Sequence, residues 1–226
     1  MFYDARIRDT VTFSPQFNTS SVVTMESMFE GASTYPVDLS NFSFASLENM
    51  SKMFKAIEAS SEGKECNNNG LGPSEVTWPA TTQHAPVLTT LKSLFHGNCN
   101  ITKINPPKIT APSLKDTSFA FSGLGEITEI DLDGFDTSAV ENMQAMFSGN
   151  SYGFMKDQHI KISLNTSNVK NMSKLFFDTY VSYLDLSDLD VHNVTDFSST
   201  FDYTWLYELD LTNWNTSRAT DMSNMF

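Results

Sequence analysis

The sequence predicts an α/β solenoid of about eight units of ~25 residues, each with one short strand and one short helix. Three observations lead to this fold class: a phrase that recurs along the chain, helical spacing of apolar residues inside it, and an alternating L-x-L segment before it. One strand and one short helix cannot bury a core alone, whereas stacked copies can, with their strands forming a parallel sheet on one face. We therefore expect a single domain over residues 1–226.

The repeat is visible as eight segments that share an apolar first residue, two Met-like positions and a final Phe. They begin at Val22, Leu47, Leu88, Leu114, Val140, Val169, Val194 and Ala219. Successive starts are 25, 41, 26, 26, 29, 25 and 25 residues apart, and the final Phe occurs in all eight. Two insertions explain the longer intervals: a polar loop around 57–76 and a short insertion around 151–158.

The helix of each unit is predicted from apolar residues at positions i, i+3, i+6 and i+7, which span about two helical turns. In the fifth unit these residues are Val140, Met143, Met146 and Phe147. A Ser suited to capping a helix precedes the segment in five units: Ser20, Ser46, Ser138, Ser167 and Ser217. Ser138 and Glu141 also have the spacing of a capping box.

The strand of each unit is predicted from an L-x-x-L-x-L segment, found at 127–132, 181–186 and 206–211. The alternation in its second half is typical of a short strand with one buried face. Units three and four depart from this pattern, with Pro79 and Pro106–Pro107 where ladder donors are needed. We do not expect regular strands at those prolines.

Nine of the eleven methionines fall in the repeat columns: Met25, Met28, Met50, Met53, Met143, Met146, Met172, Met222 and Met225. Other units have Leu or Phe in the same columns. A soft metal ligand would not alternate with Leu and Phe, whereas a core position does, because Met adapts to irregular gaps. The methionines are therefore predicted to pack in the core.

The full phrase, D-L-S/T-x-W/F-D/N-T-S-x-V-x-N-M-S-x-M-F, closely resembles the BspA-like leucine-rich repeats of bacterial and protist surface proteins, a group also labelled DUF285. Residues 130–147, 184–201 and 209–226 match it best, and the resemblance covers nearly the whole chain. It implies a leucine-rich-repeat-like fold and an extracellular, cell-surface or adhesion role. The family has no defined catalytic site, so the resemblance implies no catalytic residue.

Composition argues against several classes of function. The net charge of −13 disfavours binding to nucleic acid or to an anionic membrane surface. No segment approaches the roughly 18 apolar residues of a membrane span, so we expect no direct membrane insertion. The four histidines lie in unrelated contexts, without a metal-ligand, nucleophile or phosphate-loop motif. We expect no enzyme activity and no cofactor.

The outward residues of the strands form the expected partner-binding face. They are Asp38, Asn105, Glu129, Asp131, Asp133, Tyr183, Asp185, Glu208 and Asp210. Since adjacent strands lie ~4.8 Å apart, the acids should form a stripe in which like charges repel. Ca²⁺ bound by Asp131, Asp185 and Asp210, or a basic partner, would relieve that repulsion. The favoured alternative to a metal site is a solvated acidic face with local turn hydrogen bonds.

Two further features bear on the compartment. A disulfide between Cys66 and Cys99 would stabilise the fold by roughly 3–4 kcal/mol in an oxidising environment, and otherwise the two would be buried thiols. Glycosylation sequons occur at Asn18, Asn41, Asn100, Asn165, Asn193 and Asn215, and also at Asn49 and Asn171 within the predicted helices. Surface glycans are expected on some of these if the source is eukaryotic.

These observations together predict a non-catalytic extracellular or cell-surface scaffold for adhesion or protein binding. Its partner, a protein or a glycan at a cell surface, would contact the strand face. One alternative is a structural subunit of a surface filament, sheath or layer, self-assembling through the uncapped solenoid end near Phe226. Another is a carbohydrate-binding module that uses Tyr183, Tyr203, Trp205 and Tyr207.

Overall fold

The computed structural model describes residues 1–7, 9–32, 36–56, 72–125, 127–150 and 159–226. Nine short strands lie in these ranges: β1 (Val37–Asp38), β2 (Val76–Thr77), β3 (Gln83–His84), β4 (Lys103–Ile104), β5 (Ile109–Thr110), β6 (Glu129–Ile130), β7 (His159–Lys161), β8 (Tyr183–Asp185) and β9 (Glu208–Leu209). The insertion predicted around 57–76 falls largely outside the described residues, and the one around 151–158 falls entirely outside them.

The predicted α/β solenoid is wrong. Over the described ranges the chain contains no helix, and most of it is turn and coil. The strands form three parallel pairs, β1–β2, β3–β5 and β4–β6, and one parallel triplet, β7–β8–β9, instead of a continuous sheet. The leucine-rich-repeat-like unit of one strand and one short helix is therefore not what this sequence forms.

The helix is replaced by a turn because one residue of each repeat has a left-handed backbone. It lies two positions before the final Phe: Ser27, Lys52, Ser93, Phe119, Ala145, Lys174, Ser199 and Asn224, with φ from 52° to 58°. A left-handed residue cannot continue a right-handed helix. The helical spacing of apolar residues thus arises from a turn that directs the same side chains inward.

The backbone hydrogen bonds of this segment run to the next repeat instead of to the preceding helical turn. The N–H groups of Met50, Lys52 and Phe54 donate to Thr90, Lys92 and Leu94, at 3.2, 2.9 and 2.8 Å. Equivalent bonds join all the other neighbouring repeats. Each repeat therefore satisfies its buried backbone groups through its neighbour, as a sheet does, although the segment is not a strand.

A side-chain oxygen opens the same turn in all eight repeats. The residue concerned is Asn, Asp or Thr, and it accepts a hydrogen bond from the N–H two positions later: Thr24, Asn49, Thr90, Asp116, Asn142, Asn171, Asp196 and Asp221. These eight residues are joined in order by parallel bridges. Asn and Asp favour such turns because their side chains satisfy the backbone locally.

Four of the five serines predicted to cap helices, all except Ser46, belong to a second set of these turns. The N–H of Ser138 donates to Asp136 Oδ1 at 3.0 Å, and that of Ser167 donates to Asn165 Oδ1 at 3.2 Å. The capping prediction is therefore wrong in its geometry, since the serine closes a turn and no helix follows. The recurring D-L-S, D/N-T-S and N-M-S phrases encode three turns per repeat.

The centre of the molecule is a stack of phenylalanine rings. Neighbouring rings have centroids 5.0 to 6.2 Å apart and planes within 23° of parallel: Phe2, Phe29, Phe54, Phe95, Phe121, Phe147, Phe176, Phe201 and Phe226. The spacing follows the distance between hydrogen-bonded repeats, so one column of the sequence becomes one continuous contact through the core.

The methionines pack around this stack, and the prediction that they serve the core is confirmed for eight of the nine. Met222 is the exception, at 43% exposure.

The prolines also lie where expected, since β2 ends two residues before Pro79 and β4 ends two residues before Pro106.

Substitution at Lys174 separates the turn from a helix. At φ 57° we expect Lys174→Val to destabilise by about 1–2 kcal/mol, because a β-branched residue is strained there, while Lys174→Gly is tolerated. A helix would give the opposite order, since Gly is the poorer helix former. Urea unfolding of both variants measures the order. Both lose the Lys174 contact with the Phe177 ring equally, so it does not bias the comparison.

Two positions in the phenylalanine stack form a matched pair. Phe147 is fully buried and Phe226 is 75% exposed. We expect Phe147→Ala to cost about 3–5 kcal/mol through lost packing and an internal cavity. Phe226→Ala should cost about 0.5 kcal/mol, as surface changes do. Equal losses in thermal or urea unfolding would contradict the assignment of the stack as the core.

Candidate functional site

The strand face, formed by the outward side chains of β1, β2, β4 and β6 to β9, carries lysines between its acids. Lys103 lies opposite Glu129 on neighbouring strands, with Nζ 2.7 Å from Oε1. Lys161 lies opposite Asp185 and is 3.8 Å from it, while it is 3.0 Å from Asp188. The predicted acidic stripe is therefore interrupted twice. Asp38, at the other end of the face, lies opposite Thr77.

These ion pairs shift the pKa of both lysines and of Asp188. Hydrogen bonding from Lys161 lowers the pKa of Asp188, and the same bond raises the pKa of Lys161. The hydrogen bond to Glu129 likewise raises the pKa of Lys103. All these groups are exposed to solvent, so the pairs set local charge more than they set stability.

The three aspartates considered for calcium serve turns. Asp131, Asp185 and Asp210 each accept a hydrogen bond from the N–H two residues later, at 3.1, 2.9 and 2.9 Å. Hydrogen bonds from Ser187 lower the pKa of Asp185, and those from Thr212 lower the pKa of Asp210.

The same three aspartates are also divided between two sheets. Asp131 follows β6, which pairs with β4, whereas Asp185 ends β8 and Asp210 follows β9 in the triplet. Among the described residues no group of three or more His, Cys, Asp or Glu is arranged to hold a metal ion. We do not propose a calcium site.

A cleft of about 550 Å³ lies between the ends of β6 and β7. Its floor is apolar and includes Ile109, Phe135 and Leu164. The acids of its rim already have partners: Asp133 is 3.2 Å from Lys108 Nζ, and Asp136 accepts the N–H of Ala111 at 2.8 Å. The cleft is therefore a recess in the strand face whose charged groups are paired.

The aromatic–acidic patch occupies the repeats of β8 and β9. It comprises four aromatic and three acidic side chains: Tyr180, Tyr183, Trp205, Tyr207, Asp185, Glu208 and Asp210. Tyr180 stacks on Trp205 with centroids 5.6 Å apart and planes 14° from parallel, and Tyr183 lies 6.2 Å from Tyr207. Strand register places Tyr183 opposite Glu208. The two ring pairs and the carboxylates are therefore contributed by the same two neighbouring repeats.

The aromatic side chains of this patch are unusually open to solvent for their size. Trp205 is 70% exposed and Tyr207 is 78% exposed, while Tyr180 retains 40% exposure although Trp205 covers one of its faces. Tyr203, also considered for glycan binding, is 72% exposed, packs edge-on against Phe177 and lines a recess together with Tyr207 and Glu208. Exposed apolar groups that cluster in this way mark interaction surfaces.

The sequons divide by how their amides are used. Asn18, Asn41, Asn165 and Asn215 are exposed. The amide nitrogen of Asn100 donates to the Gly72 carbonyl at 2.8 Å, and that of Asn193 donates to the Ser167 carbonyl at 2.7 Å. Because a glycan is attached through this nitrogen, the four exposed asparagines are the more accessible acceptors. Asn49 and Asn171 are half-buried within the turns that replace the predicted helices.

Two compartment-related features have different standing. Cys99 is disulfide-bonded, and Cys66, its predicted partner, lies outside the described residues. Within the ranges that the structure covers, no helix has the length and apolar character needed to span a membrane.

Sequence reasoning placed Lys103 on the strand face but missed Lys161 and Tyr180. Both were detectable from the repeat alignment. Lys161 falls in the column of Asp185 and Asp210, and Tyr180 follows its repeat's final Phe by four residues, as Trp205 does.

Comparison with known proteins gives one match. The model of the family described as "Mycoplasma protein of unknown function, DUF285" matches residues 1–68 and 115–226. The unmatched segment contains the proline-bearing third and fourth strand segments. Neither the curated proteins nor the solved structures include a match to the chain.

Removal of the Lys161 charge tests the ion pairs on the strand face. In Lys161→Gln the pKa of Asp188 should rise toward its ordinary value, which carboxyl NMR titration measures. A carboxyl with a lowered folded-state pKa stabilises above its unfolded pKa, and this contribution is lost as pH falls through the folded value. The melting temperatures of wild type and variant should therefore converge in acid. Lys174→Gln, whose Nζ faces the Phe177 ring, serves as the control and should leave Asp188 unchanged.

Proposed function

The chain belongs to the DUF285 family, and we propose that it is a non-catalytic binding protein that recognises a protein partner through its strand face. The observation that carries the proposal is the aromatic–acidic patch on that face. Tyr and Trp dominate the energetics of protein interfaces, and here they stand exposed on neighbouring repeats.

The scaffold supports recognition because its repeats hold the face in place. Hydrogen bonds join each repeat to the next at the turns, and the phenylalanine stack fills the space behind them. Side chains on such a support lose little conformational freedom when a partner binds. A regular spacing between repeats also allows several weak contacts to add along one partner.

The finer resemblance, to BspA-like surface proteins, is part of this proposal and carries an extracellular or cell-surface location with it. A disulfide-bonded Cys99 supports that location, because disulfides persist in oxidising compartments. The accessible sequons, with Asn165 and Asn215 among them, are compatible with it.

We propose no reaction for the strand face. Several of its carboxylates are turn acceptors, as Asp131 is, or partners of lysine, as Glu129 is. Such structural roles give no reason to assign acid–base chemistry to these groups.

Two alternatives remain predictions. Carbohydrate binding would use the exposed rings of Trp205 and Tyr207, and a glycan array with the Trp205→Ala variant tests it. Self-assembly into a filament or layer would show as species that grow with concentration in sedimentation velocity. A protein that remains monomeric over that range would exclude the assembly.

Charge substitution on the strand face tests the proposed binding. We expect the triple change Asp131→Asn, Asp185→Asn and Asp210→Asn to weaken or abolish binding to partners found on an array of secreted and matrix proteins. Asn keeps the turn, as Asn142 and Asn171 do elsewhere. The matched control changes Asp116, Asp196 and Asp221 to Asn. It removes the same charge from a different set of turns, those joined by the parallel bridges. Unchanged binding by the first variant, measured by surface plasmon resonance, would remove the strand face from consideration.

A further inference from the structure

We propose that the aromatic–acidic patch binds a basic protein segment, with arginine side chains stacking on its rings and pairing with its carboxylates. This inference rests on the proposed function, because the patch is part of the same strand face. It adds the chemical class of the partner, which neither the family nor the strand face alone supplies.

The aromatic half of the patch suits a cation with a flat, weakly hydrated surface. Tyr180 and Trp205 are stacked nearly parallel, and Trp205 remains 70% exposed beyond that contact. Cations bind over aromatic faces, with Trp the strongest acceptor. Guanidinium groups stack on such rings and are less hydrated than ammonium groups, so arginine is favoured over lysine.

The acidic half selects a positive charge over a neutral ligand. At the turns opened by Asp136, Asn165, Asp190 and Asn215, Asp alternates with Asn in consecutive repeats, whereas Asp196 and Asp221 follow one another at another turn. In the patch Asp185 and Asp210 also come from neighbouring repeats, each one residue beyond the paired Leu184 and Leu209. Like charges on neighbouring strands repel, and Asp185 acts to raise the pKa of Asp210 against its turn hydrogen bonds.

The local charge balance offsets this repulsion only in part. The Nζ atom of Lys161 lies 3.8 Å from Asp185 and 3.0 Å from Asp188, so its closer contact is to Asp188. Glu208 lies opposite Tyr183 on the neighbouring strand and adds a further carboxylate to the patch. A basic segment would neutralise these groups and cover the exposed rings together. A neutral glycan would cover the rings and leave the charges in repulsion.

A short oligo-arginine peptide is the probe, with binding to the full chain measured by isothermal titration calorimetry. We expect Trp205→Ala to weaken binding by about tenfold and Trp205→Phe by much less. The double change Asp185→Asn and Asp210→Asn should weaken it by a similar factor. Binding should fall with added salt, and oligo-lysine should bind more weakly than oligo-arginine.

The matched control separates the patch from general attraction to an acidic protein. Asp196→Asn with Asp221→Asn removes two charges from neighbouring repeats at a different set of turns. This variant should leave peptide binding within about twofold of wild type. An equal loss in this control would overturn the inference, as would full binding by Trp205→Ala. Binding of a neutral oligosaccharide that depends on Trp205 would overturn it in favour of a glycan site.

Failure of this inference is distinct from failure of the proposed function. Partners from the protein array that depend on Asp131, Asp185 and Asp210, together with no specific binding of oligo-arginine, would refute the basic segment and leave the strand face as the binding surface. Partners that ignore all three aspartates would refute the proposed function itself. Far-ultraviolet circular dichroism and urea unfolding of each variant establish that the fold is kept.

Discussion

The left-handed residue two places before each final Phe is the constraint on which the remaining structure depends. It turns the chain so that its N–H groups point to the next repeat, and it brings the Phe into line with its neighbours. Lys174 and Ala145 show that the conformation is held without glycine. The cost of about 1–2 kcal/mol per such residue is offset because hydrogen bonds between repeats and ring stacking both require that turn.

The turn chemistry also explains why the surface carries so much negative charge. Each turn opens with a residue that carries a side-chain oxygen on a short stem, so this residue is Asp, Asn, Ser or Thr. Where Asp opens a turn, the residue at the equivalent position of the next repeat determines the local electrostatic field, because the two side chains are as close as neighbouring strands are. Asn at 165 and Lys at 161 break up the charge, whereas the sequence of Asp185 and Asp210 concentrates it. Substitutions at the residues that open the turns can therefore create a recognition surface without altering the backbone.

The sequence reveals the repeat, its register and its core columns, because identical phrases bury the same positions whatever backbone they adopt. It does not reveal that Met143 and Met146 flank a turn, since the i, i+3 spacing that indicates a helix is also produced by a left-handed residue between them. Of the candidate site, the outward positions such as Asp185 are identified by alternation alone. The interruption by Lys161 and the pairing of Tyr180 with Trp205 depend on contacts between residues about 25 apart, which a single repeat does not display.

The places where the repeat lengthens have a further meaning for evolution and for engineering. Both longer intervals begin three or four residues after a final Phe, at Phe54 and Phe147, just beyond the bonds that join neighbouring repeats. After the first of them, the N–H of Gly72 rejoins the array by donating to the carbonyl of Ala32 at 2.8 Å. The segment that follows the final Phe of a repeat thus tolerates additional sequence without displacing the turns on either side. It is where a foreign loop or reporter peptide can be grafted while the neighbouring faces stay in register.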